Sequence, residues 1–207
     1  MAEKLTFSKM TWDILEEKYG ILPVLGGVLF EGCAPVEPTS VLVENLRRGR
    51  RSRLANERAK AYRLVDPVIA ELEMLRAGKI SSIPEMDLEI KDVEGLCGNP
   101  DFIISASPTY KIVPILAIVE AKKDDMDAGL PQCAAELYAS YLLNKGRPGR
   151  LYGCVTVGTD WKFVCFHGDN RKVDVDEDIY FINEPAKLLG VLCHIVDVSL
   201  AALEGLG

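Results

Sequence analysis

The segment from Gly98 to Lys122 limits what this chain can become more than any other. It reads Gly98-Asn99-Pro100-Asp101-Phe102-Ile103-Ile104, then a loop, then Ile115-Leu116-Ala117-Ile118-Val119-Glu120-Ala121-Lys122. Five aliphatic residues in succession before Glu120 suit a strand buried on both faces, and such a strand belongs inside a sheet covered by other layers. Side chains alternate along a strand, so Glu120 and Lys122 share one face while Ala121 takes the other. An acid opens the first apolar run; an acid and a lysine close the second. Two acids and a lysine brought to one point on a sheet make a site for a hard divalent cation and a phosphate.

Around this segment the hydrophobic spacing predicts alternating helices and strands. Phe7, Met10, Ile14 and Leu15 predict a helix over 6–19. Pro23, Gly26-Gly27, Gly32 and Pro35 make 21–37 a run of turns around one short strand at 28–30, and Pro38-Thr39-Ser40 caps a helix over 41–48. Residues 1–50 carry no chemical motif and read as an arm that packs on the core or on a second subunit, ahead of an α/β domain over 51–207. Leu54, Ala61, Val65, Val68, Leu72 and Leu75 form one stripe of a helix over 52–77, which Pro67 should kink or split. Strands over 80–91, 101–105 and 112–121 follow as an antiparallel meander, then a helix over 127–145 with Pro131 in its first turn. A hairpin of 151–157 and 161–167 turns on Gly158-Thr159-Asp160, a short strand covers 178–182, and Asn183 caps a last helix over 184–204. The fold class is therefore α/β (α+β), a mixed central sheet of four or more strands flanked by helices.

Composition narrows the function classes. With 48% hydrophobic and 27% charged residues the chain suits one soluble globular domain, and no apolar run approaches the roughly 20 residues needed to cross a bilayer. Met1-Ala2-Glu3-Lys4 lacks the charged-then-apolar pattern of an export signal, and six scattered cysteines without a CxxC pair point to reduced thiols in a cytoplasmic protein. His167 and His194 lie too far apart in sequence to suggest zinc, and the glycine-rich loops that cradle nucleotide phosphates are absent. Asp124, Asp125 and Asp127 read as helix-capping acids.

Acid-x-lysine triplets occur four times: Glu16-Glu17-Lys18, Glu89-Ile90-Lys91, Glu120-Ala121-Lys122 and Asp160-Trp161-Lys162. Only Glu120 ends a buried strand with a Pro-Asp strand just before it. At Pro100-Asp101 and Glu120-Ala121-Lys122 the chain resembles the PD-(D/E)xK nuclease superfamily, whose restriction-endonuclease-like core has the same order of helix, three strands, helix and strand. The resemblance spans about residues 52–168. It implies metal-dependent hydrolysis of DNA with Mg²⁺, or Mn²⁺ in its place. Asp101, Glu120 and the backbone carbonyl of Ala121 would be the ligands, with Lys122 beside the attacking water. It further implies that Glu57, on the helix before the sheet, and Gln132, on the helix after it, reach the same site.

Net charge is −7, which disfavours non-specific attraction to a polyanion. Five arginines within Arg47-Arg48-Gly49-Arg50-Arg51-Ser52-Arg53 offset this locally, either as a phosphate-contacting patch or as a solvated helix junction. Three readings follow: a nuclease acting on DNA, alone or as a homodimer; a subunit that cleaves with a separate recognition partner; and a nuclease-like fold used for nucleic-acid binding or assembly without turnover.

Overall fold

The computed structural model describes residues 4–107, 109 and 111–205; residues 1–3, read above for an export signal, lie outside these. Its strands are Leu22–Gly27 (β1), Ser81–Pro84 (β2), Leu88–Glu89 (β3), Cys97–Gly98 (β4), Phe102–Ser105 (β5), Ile115–Ala121 (β6), Arg150–Thr156 (β7), Asp160–His167 (β8), Lys172–Asp176 (β9) and Tyr180–Phe181 (β10). The α-helices are Trp12–Tyr19 (α1), Ser40–Arg51 (α2), Glu57–Lys60 (α3), Asp66–Leu75 (α4), Leu130–Leu143 (α5) and Pro185–Glu204 (α6). Eight strands form one mixed sheet in the order β1-β9-β8-β7-β6-β5-β2, with β10 beside β8, while β3 and β4 make a separate two-stranded ribbon.

The apolar run at 115–121 becomes an inner strand, buried at every position, with β5 antiparallel on one side and β7 parallel on the other. Helix α5 makes the crossover that parallel pairing requires. Alternation along the strands sorts the side chains into two cores. Phe102, Ile104, Leu116, Val119, Trp161 and Phe163 face the core shared with α2, α4 and α6. Ile103, Ile118, Leu151, Val155, Val164 and Phe166 face the core shared with α1 and α5. The molecule is thus three layers, with the sheet in the middle.

Several local expectations are corrected. The first strand is Leu22–Gly27 rather than 28–30, and it pairs in parallel with β9, a strand the sequence reading did not place. Residues before 51 therefore pack on the core and supply an edge strand of the main sheet. The strand expected over 80–91 ends at Pro84, and its second half turns away into the β3–β4 ribbon. The long helix begins at Glu57 instead of 52, behind the cap made by Asn56, whose Oδ1 accepts from the Ala59 N–H at 2.8 Å. The helix is split at Pro67 as expected: Ala61–Val65 winds as a π turn just before the proline, which then occupies the first turn of α4. Glu184, not Asn183, precedes α6, and it makes no side-chain cap. Asp125 does cap as expected, accepting from the Ala128 N–H at 3.2 Å. Helix α6 is long and apolar enough, by length and composition alone, to cross a bilayer; here it lies on the sheet and buries Leu188, Leu189, Val191, Leu192, Ile195 and Val196.

The arginine cluster lies along α2 and is largely engaged within the chain. Arg47 and Arg48 both donate to Glu44, at 2.6–2.7 Å, and Arg50 donates to the Ile182 carbonyl at 2.8 Å. Next to them, Gly49 seats α2 on the π turn. A Cβ there would stand 2.2 Å from the Arg63 carbonyl oxygen, a backbone atom that cannot swing aside. In a free helix Gly→Ala gains up to about 1 kcal/mol. Here Gly49→Ala is expected to lose about 1–3 kcal/mol through overpacking, read as a lower midpoint in urea or thermal unfolding; an unchanged or raised midpoint would contradict this packing.

Candidate metal centre

Strand register brings the acids together. The β5–β6 ladder pairs Phe102 with Val119 and Ile103 with Ile118, and one further step sets Asp101 across from Glu120 on the same face. Asp101 is fixed by its Oδ2, which accepts the Ala121 N–H at 2.7 Å. Ala121 thus takes part through its backbone, while its side chain is buried on the opposite face. Glu57 arrives from the first turn of α3. Two ion pairs hold that short helix over the strand ends: Arg58 to Glu85 past β2 at 2.9 Å, and Lys60 to Asp124 past β6 at 3.3 Å, Lys60 also donating to the Lys123 carbonyl. Carboxylate oxygens of Glu57, Asp101 and Glu120 consequently lie within 4.8 Å of one another.

Lys122 and Gln132 enclose the inner acid. Lys122 Nζ donates to Glu120 Oε1 and to Gln132 Oε1, both at 2.7 Å, and Gln132 Nε2 donates to the same Glu120 oxygen at 2.6 Å. The five side chains expected at the site therefore converge, Glu57, Asp101, Glu120, Lys122 and Gln132, with the Ala121 backbone N–H holding Asp101. Two further residues escaped the sequence reading. Glu136, fully buried one turn beyond Gln132, accepts a second hydrogen bond from Gln132 Nε2 at 3.0 Å. Its spacing of four from Gln132 on one helix was the available signal. Gly129 is the other. A Cβ at this position would meet Val155 Cγ1 at 2.6 Å and Lys122 Cγ at 3.0 Å, so the missing side chain is the space in which the lysine lies.

Electrostatics make the cluster demanding. Burial, and then the charge of Asp101, push Glu120 up to about 7 from its ordinary 4.5, against the pull of Lys122. Burial lifts Asp101 to about 6, with Glu57 adding to the rise and the Ala121 hydrogen bond opposing it. Glu136 is raised well above the carboxylate range by burial and by Glu120. Burial acts to lower Lys122, but the charge and hydrogen bond of Glu120 outweigh it and hold the ammonium above its ordinary value. Among the described residues, Glu120 Oε2 and Glu136 Oε2 are buried without a hydrogen-bond partner. An unpartnered buried carboxylate oxygen within a trio of converging acids is a donor set that a hard cation satisfies, with oxygen ligands of the type Mg²⁺ and Mn²⁺ prefer.

Comparison of the chain with protein-family models, with curated proteins and with solved structures found no match.

Because Glu120 and Asp101 hold protons more tightly folded than unfolded, the metal-free protein should lose stability as pH rises from about 4.5 to 7. Relative to Glu120→Gln, whose amide does not titrate, the parent protein should weaken across that window by about 1–3 kcal/mol in urea unfolding with a chelator present. Millimolar Mn²⁺ should flatten the difference. Parallel pH profiles for the two proteins in chelator would show that burial does not raise Glu120.

Proposed function

We propose that this chain hydrolyses phosphodiester bonds in DNA with a divalent cation, Mg²⁺ or Mn²⁺, as its cofactor. The observation that carries this reading is the convergence of the Glu57, Asp101 and Glu120 carboxylates beside an ammonium that is itself hydrogen-bonded to one of them. The resemblance of Pro100-Asp101 and Glu120-Ala121-Lys122 to the PD-(D/E)xK superfamily supports the same chemistry. Glu57, Asp101 and Glu120 would hold the ion, with the Ala121 carbonyl as the further ligand the resemblance implies. When bound, the cation supplies Lewis acidity toward a phosphoryl oxygen and makes a water more acidic.

The protein's own groups have distinct tasks. Lys122 would serve as a donor toward the negative charge that grows on the phosphoryl group; in the metal-free protein the charge and hydrogen bond of Glu120 hold its ammonium above the ordinary value. Gln132 closes a triangle with that ammonium and Glu120, since its carbonyl oxygen accepts from Nζ while its amide nitrogen donates to the carboxylate. Asp101, tied to the backbone of β6, keeps the trio at fixed separation when the charge of a substrate approaches.

A second reading, a nuclease-like domain that binds without turnover, is favoured by the net charge of −7 and by a lysine whose hydrogen bonds are already committed to Glu120 and Gln132. Calorimetric titration with Mn²⁺ separates the two, because a scaffold without a metal would give no heat at millimolar concentrations. The cleavage test uses labelled single-stranded and duplex DNA with Mg²⁺ or Mn²⁺. Asp101→Ala and Lys122→Ala should each cut about 10²–10⁴-fold more slowly than the parent protein. Absence of cleavage by the parent on either substrate, or variants as fast as the parent, would reject the assignment.

A further inference from the structure

A cavity of about 350 Å³ opens directly beside the acidic trio, and Glu57 and Asp101 form part of its wall. Its size falls within the roughly 300–1,000 Å³ typical of small-molecule sites. Tyr62 lines it and is 59% exposed, a large aromatic surface left uncovered at the edge of a polar centre. The residue sits on the π turn Ala61–Val65, an irregularity that is rare in helices and concentrates at functional sites. Pro84 and Ala61 add apolar wall. On the far side Glu85 has a left-handed backbone, φ +48°, and is held there by its N–H donating to the Asp101 carbonyl at 3.1 Å.

The charges in this cavity state what it can accept. With Glu57 and Asp101 given to the ion, Asp66 and Glu85 are the other acids of its lining, and the arginine beside them, Arg58, is already paired with Glu85. A phosphate would meet repulsion here. A nucleobase would not: it is uncharged, its flat face stacks on a tyrosine ring, and the exocyclic amines of cytosine and adenine donate to carboxylates, which only accept. A base within a duplex is stacked and paired and cannot reach such a recess.

We infer that this cavity binds an unpaired, amino-bearing nucleobase next to the phosphate held at the acidic trio, which makes single-stranded DNA the substrate class. The inference rests on the nuclease reading for its neighbour phosphate, but its test reads binding and not cleavage.

The probe is a fluorescein-labelled phosphorothioate oligodeoxycytidylate of about twenty nucleotides, which resists hydrolysis, followed by anisotropy with the full chain in Mn²⁺. The comparison probes are the matching oligothymidylate and a duplex of the same length. Tyr62→Ala should weaken single-strand binding about 5- to 100-fold, the range stacking on one aromatic supplies. Tyr62→Phe, which keeps the ring, should bind like the parent protein, and the cytosine strand should bind more tightly than the thymine strand. Duplex binding should be the same for all three proteins.

Unchanged affinity in Tyr62→Ala, equal loss on the duplex, equal binding of the two single strands, or no single-strand binding by the parent would each overturn the inference. Tyr62-dependent binding together with failure of the Asp101→Ala cleavage test would leave the base pocket standing and remove the nuclease. Normal Asp101-dependent cleavage with Tyr62→Ala unaffected would do the reverse.

Discussion

Carboxylates do not gather in a protein interior without something to hold them, because each buried negative charge loses its hydration and repels the next. At the ends of β5 and β6, three of them come within 4.8 Å, and a fourth, Glu136, lies behind Gln132. Most of the local structure can be understood as the means of tolerating that crowd. The Ala121 amide neutralises part of Asp101, Lys122 sits against Glu120, and Gln132 bridges the ammonium to two acids at once. What these contacts leave over is an unpartnered oxygen on Glu120 and on Glu136, and carboxyl groups that keep their protons toward neutral pH. A cluster of this kind is costly for stability alone.

The sheet makes the crowding possible. Glu120 is delivered to the end of a strand buried on both faces, where low dielectric strengthens each contact. Helix α5 lies close over that strand end because small residues let it: a Cβ at Gly153 would meet Cys133 at 2.6 Å, and one at Gly129 would displace Lys122. Helix α3 is only four residues long and holds Glu57 in place by ion pairs at its two sides, Arg58 to Glu85 and Lys60 to Asp124. Pairs this exposed contribute about 0–1 kcal/mol each, so the Glu57 side of the centre is its softest part. The neighbouring cavity opens on this softer side, between the π turn and the strained Glu85 backbone.

Charge elsewhere on the molecule bears on what approaches the site. The arginine cluster left a phosphate-contacting patch and a solvated helix junction equally open; Arg47 and Arg48 are engaged with Glu44 and Arg50 with a backbone carbonyl. Arg51 and Arg53 remain exposed. With a net charge of −7, long-range attraction of a polyanion is weak.

Much of this was readable in the residues themselves. The period-two alternation, the aliphatic run before Glu120 and the turn residues around 158–160 are local signals, and they gave a mixed sheet flanked by helices with the strands of the site in their observed order. Asp101, Glu120 and Lys122 were legible because strand alternation is strict. Edge elements were less so: β1 is broken up by a proline and two glycines, β9 is short and mixed in polarity, and the π turn before Pro67 has no sequence signature of its own. Glu136 and Gly129 join the site only because α5 lies across β6 and β7. Which side chains alternate together is a property of neighbouring residues in the chain, and so the sequence determines it. How close three acids from separate elements come, and what shares their burial, depends on packing between layers, which only the tertiary structure decides.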